Sequence, residues 1–154
     1  MKEAPMFGRG NYMNDEGVYL VELTNVFVKP RWKGGNIFVA EFRILESNND
    51  AHKAGSSRSW APKLELPNTF GDIKALVLAA IGTDPKSVTE ADKALHEQAT
   101  LLARAVCGSE SAKAELKAAG VDDFSLVGCR VRLETMPTKT KENKPFTRYT
   151  WSPA

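Results

Sequence analysis

The chain has 154 residues, 42% of them hydrophobic and 26% charged. That size and balance suit one domain with a real core and exclude a disordered chain. The formal charge is only +2, so the total does not mark a nucleic-acid binder, but the distribution is uneven. Residues 26–66 carry seven Lys or Arg against four Asp or Glu, and residues 126–154 carry six against two. Residues 83–125 carry five against eight. Two basic, strand-like regions flank an acidic, helix-like one, which predicts a basic face on the strand portion.

Residues 1–16 are rich in Gly, Asn and acids and read as an arm. Gly17 opens a run with strand chemistry through Val18, Tyr19, Leu20, Val21, Leu23, Val26, Phe27 and Val28. Its imperfect alternation fits a strand buried on both faces for part of its length, or one with a bulge. Pro30 stops this run and Gly34-Gly35 supplies a turn. The next strand, 36–47, places Phe38, Ala40, Phe42 and Ile44 on an apolar face that should meet the core. Ile37, Val39, Glu41, Arg43 and Leu45 form the other face, expected to be partly solvated. A polar loop covers 47–57. A third strand is expected over 57–66, with Pro62 implying an edge or a kink.

Helical spacing follows. Thr69 is a candidate N-cap, Asp72 suits the first turn's dipole, and Ile73, Leu76, Val77, Ala80 and Ile81 share a stripe that Gly82 ends. Ser87-Val88-Thr89-Glu90 matches a capping box and predicts a second helix from there to Cys107. Gly108-Ser109 breaks it, and a short helix is expected over 111–119. Leu126, Val127, Cys129, Val131 and Leu133 then read as a strand, with Arg130, Arg132 and Glu134 between them. A loop over 137–144 holds Lys139, Lys141 and Lys144. A last strand, 146–151, puts Thr147, Tyr149 and Trp151 on one face and Phe146, Arg148 and Thr150 on the other.

Three strands, a helical block, then two strands is the order of an OB-fold, a five-stranded Greek-key barrel with helix between strands three and four. The predicted class is therefore mainly β with inserted helices, α+β, in one domain spanning 1–154, with an arm at 1–16 and an insertion at 68–120. An all-α bundle is excluded by the strand runs. A doubly wound sheet would require strands and helices to alternate.

Several stretches resemble phage-encoded single-stranded DNA-binding proteins of the OB-fold type with helices inserted before strand four. They are Gly17-Val18-Tyr19, the basic hairpin loop 29–35, Leu64-Glu65-Leu66-Pro67-Asn68, and Leu126-Val127-Gly128-Cys129-Arg130-Val131. Together they span most of 17–152. The resemblance implies a sequence-tolerant binder of single-stranded DNA in phage replication or recombination. Its partners would be the strand itself, replication or recombination proteins, and a second copy of the chain, and its place the host cytoplasm. Many such proteins end in an acidic tail that recruits partners. This chain ends Trp151-Ser152-Pro153-Ala154, so that function is not implied here.

The residues support a binding chemistry. Cations gain affinity from counterion release at phosphates, and rings stack on unpaired bases. An OB-fold binds with its strand 2–3 face and its strand 1–2 and 4–5 loops, here the two densest cation clusters. The candidate contacts are Lys29, Arg31, Trp32, Lys33, Arg43, Arg58, Trp60, Lys63, Arg130, Arg132, Lys139, Lys141, Lys144, Arg148 and Tyr149. Among the rings, Trp32 is the favoured stacker. Trp60 and Tyr149 divide evenly between stacking and core, Trp151 is expected in the core, and Phe38, Phe42 and Phe146 inside the barrel. RNA and duplex DNA stay open as ligands, and a protein-interaction module is the alternative from another class.

An enzyme is not expected. His52 and His96 stand apart, and no metal, cofactor or phosphate-loop pattern occurs. Asp122-Asp123 reads as a cap or solvated turn, with a metal-dependent nuclease as the competing reading. Cys107 and Cys129 read as buried free thiols of a reducing compartment. No apolar run reaches the length of a membrane span. The first residues lack the apolar core of a signal peptide, so a cytoplasmic protein is expected.

Overall fold

The computed structural model describes residue 13 and residues 15–30, 34–66, 68–87, 92–120, 125–139, 142–143 and 145–154. Five strands form one antiparallel sheet: β1 (Gly17–Pro30), β2 (Asn36–Ser47), β3 (Ser57–Trp60), β4 (Arg130–Lys139) and β5 (Pro145–Pro153), in the spatial order β3-β2-β1-β4-β5. Three helices stand between β3 and β4: α1 (Thr69–Ala80), α2 (Lys93–Val106) and α3 (Glu110–Ala118). The protein is mixed α+β and mainly β, as the strand and helix patterns predict.

The irregular alternation of β1 has a local cause. Tyr19, Val21 and Leu23 are buried in turn. The ladder to β2 then shifts between Leu23 and Asn25, and beyond the shift Val26 and Val28 pack on the core instead. One inserted residue changes which parity faces inward, as a β-bulge does. In β2 the predicted apolar face is correct: Phe38, Ala40, Phe42 and Ile44 are fully buried. The opposite face is less solvated than expected, since Val39, paired with half-buried Phe27, is buried too.

Gly17 opens β1 because no side chain fits there. A Cβ on Gly17 would run into the hydroxyl and ring of Tyr19, which folds back over it. The Tyr19 ring is fully buried and its hydroxyl has no hydrogen-bond partner among the described residues. Burial pushes its pKa up, and the nearby Thr135 and Asn49 side chains moderate this without reaching bonding geometry. A buried orphan hydroxyl costs free energy. Tyr19→Phe should therefore leave stability unchanged or raise it by up to about 1 kcal/mol. A loss of more than about that in urea titrations would mean the hydroxyl is partnered after all.

The two edges of the sheet meet through rings. Trp60 of β3 lies 6.0 Å from Tyr149 of β5, nearly parallel at 24°, and 5.4 Å from Trp151. Phe38 touches Trp60 and Phe42 touches Trp151, both edge to face. The sheet is thus curled enough to bring its first and last strands together, although no ladder joins β3 to β5 among the described residues. Helix α1 packs its buried Ile73, Leu76 and Val77 into the same core. The Tyr149 hydroxyl accepts from Met13 N and donates to Met13 O at 3.0 and 3.2 Å, tying the fully buried Met13 to the core.

Several boundaries differ from the sequence reading. Strand β3 is short, and only an isolated Ile37–Lys63 bridge continues its line. Helix α1 starts at Thr69 with Asn68 as its cap residue, and the Thr69 hydroxyl instead donates to Lys63 O at 2.7 Å. Gly82 does end that helix, with φ +91° and its N–H on Ala79 O. Helix α2 begins at Lys93, and the capping-box residues 88–90 lie outside the described residues. Before β4, residues 126–129 form a turn rather than a strand. Gly128 N donates to Leu23 O at 2.7 Å there, Leu23 N donates to Cys129 O at 2.9 Å, and Gly128 has φ +90°. Strand β4 runs on to Lys139 through Pro137, which is tolerated because β1 no longer pairs beyond Thr135.

Candidate nucleic-acid interface

Strand register decides which predicted contacts share a surface, because directly paired residues point to the same side. Outward along β4 stand Arg130, Arg132, Glu134, Met136 and Thr138. Outward along β5 stand Phe146, Arg148, Thr150 and Ser152. Arg130, Arg132 and Arg148 are exposed. Exposed Lys139 continues the same hairpin. Inward on these strands lie Val131, Leu133, Thr135, Tyr149 and Trp151, as the predicted faces of the last strand require.

A second cationic group sits at the other end of the sheet. Lys29 of β1 and Lys63 flank Ile37 of β2 in one cross-strand row. Strand β1 pairs with β4 only over residues 17–22, and the two run antiparallel. Lys29, near the end of β1, and Lys139, at the end of β4, therefore stand at opposite ends of the sheet. Arg31, Trp32, Lys33, Lys141 and Lys144, expected in the two hairpin loops, lie outside the described residues.

Between the two groups the outer face is not net basic. Arg43, Glu22 and Arg130 form one row, and Glu46, Leu20 and Arg132 the next. Arg43 is joined to Glu22 at 3.0 Å. Glu134 adds a further acid. The three arginines here thus stand among three glutamates.

The other predicted contacts are turned inward or engaged. Arg58 Nε donates to His52 Nδ1 at 3.0 Å, and its terminal nitrogens reach the carbonyls of Ser57 and Ala51. Because His52 Nδ1 accepts, its proton sits on Nε2, 3.0 Å from Asp15 Oδ2. His52 is buried against Tyr19, so this chain of groups closes one end of the core. Trp60 is 8% exposed and belongs to the ring cluster, as does half-buried Tyr149.

Two exposed residues were missed. Phe146, expected inside, is 42% exposed, and Met136 is 46% exposed. Phe146 pairs with Thr138 and so follows the parity of Arg130 and Arg132, opposite to that of Trp151. The signal was present in the sequence, since Phe146 and Arg148 fall on one face there.

Burial pushes the Cys107 thiol up to about 11, far from a nucleophile's range. Burial also raises the Asp72 carboxyl, and the positive charge of Arg148 partly offsets that rise. Among the described residues, no group of three or more His, Cys, Asp or Glu could hold a metal ion. Asp122 and Asp123 lie outside those residues. No described helix is long and apolar enough to cross a membrane. No family model matches the chain, and no curated protein matches it in sequence.

Proposed function

We propose that the protein is a non-enzymatic, sequence-tolerant binder of single-stranded DNA, built as an OB-fold barrel whose seam is the contact between β3 and β5. The observation that carries this reading is the outer strip of the β4–β5 hairpin, where exposed Arg130, Arg132 and Arg148 share one face; Glu134 is the acid of the hairpin itself on that face, with Glu22 of β1 beside Arg130 and Asp72 of α1 near Arg148. Guanidinium groups on a sheet face hold phosphates and can also lie flat on bases. The strand order, with helices between β3 and β4, supports the barrel. The resemblance to phage single-stranded DNA-binding proteins supports a role in replication or recombination, where such a protein coats exposed strands. Lys29 and Lys63, on either side of Ile37, would supply a second anchor across the sheet.

The test is fluorescence anisotropy with labelled oligo-dT, oligo-U and duplex DNA at two salt concentrations. Oligo-dT should bind at micromolar protein or below and weaken as salt rises. Duplex binding equal to oligo-dT binding, or oligo-dT binding indifferent to salt, would defeat the reading.

A further inference from the structure

The outer strip of the β4–β5 hairpin carries more than charge. Large apolar side chains on a solvated sheet face lose free energy to water unless something covers them. Phe146 and Met136 are such groups, and among the described residues Phe146 touches no other ring. Met136 pairs directly with Arg148, and Phe146 is two residues from Arg148 on the same strand and face. The three side chains are therefore neighbours, roughly 5–7 Å apart at their bases.

We infer that Phe146 is a stacking seat for one unpaired base, with Met136 as its apolar floor and Arg148 holding the adjoining phosphate. This rests on the binding reading above and names where, on that strip, a base is held. The surroundings choose this occupant. The apolar area is one ring and one thioether wide, too small for a stable protein interface. It is bordered by exposed Arg148 and Thr138, a cation and a hydroxyl that suit an anionic polymer. A flat base over the ring with its phosphate at the guanidinium satisfies both parts together.

The experiment compares oligo-dT with an abasic oligonucleotide of the same length, which keeps the phosphates and lacks the bases. Phe146→Ala and Phe146→Leu should each weaken oligo-dT binding about tenfold and leave abasic binding unchanged, while Phe146→Trp keeps wild-type affinity. Melting curves establish that each variant is folded, which the exposure of Phe146 favours. If Phe146→Leu binds oligo-dT as tightly as wild type, or if both ligands weaken equally, the seat is elsewhere. If a Phe146 variant changes only the oligomeric state, the ring serves self-association and the inference is wrong. Wild-type protein that binds neither oligonucleotide would bring down the binding reading itself, which is a separate result.

Discussion

Replacing Trp151 with Ala should cost the fold about 3–5 kcal/mol, the usual range for removing a large buried ring. Trp151 is 2% exposed and touches Phe42, Trp60 and Tyr149, so it links β5 to both β2 and β3. Without it the two edges of the sheet lose the centre of their contact and leave a cavity that the surrounding rings can only partly fill. A domain of this size has a total stability of about 5–15 kcal/mol, so the loss would take a large share of it. Trp151→Phe is the informative partner. The indole Nε1 is buried without a hydrogen-bond partner among the described residues, so its removal gives up no bond there. The smaller ring leaves a smaller cavity and should cost clearly less than Trp151→Ala does. Urea denaturation of both variants checks the pair, and a Trp151→Ala cost below about 1 kcal/mol would show that the seam does not hold the sheet together.

The second large effect concerns binding. Changing Arg130, Arg132 and Arg148 together to Ala removes three candidate phosphate contacts. For a single strand each contact contributes about 0.7 to the slope of log affinity against log salt. The variant's slope should be shallower by about 2, and its affinity for oligo-dT at 0.1 M salt lower by roughly 100-fold. Changing Arg43, which is held by Glu22, should do much less. Equal losses for the two variants would mean that the strip has no special place in binding.

Strand and helix identity was legible because the core-facing residues announce their period. Phe38, Ala40, Phe42 and Ile44 alternate cleanly, and all are buried. The bulge in β1 left a trace in the broken alternation after Leu23, though its position emerges only from the ladder with β2. Other features depend on long-range contacts that no local pattern encodes. Arg58 looks like a solvated strand cation until His52, six residues earlier, is found accepting from it. Trp60 is ambiguous alone, and it is settled as core by two rings about ninety residues away. Phe146 was misplaced for a simpler reason. Its hydrophobicity suggests the core while its parity suggests the outer face, and the register puts it beside arginine rather than beside tryptophan.

The ring seam between β3 and β5 has a thermal consequence. A ladder is held by directional bonds, whereas stacked rings are held by apolar contact, and apolar contact loses strength on cooling. Trp60, Tyr149 and Trp151 therefore make the joint between the sheet's edges its cold-sensitive part. As temperature falls, the protein should loosen there before its hydrogen-bonded strands part.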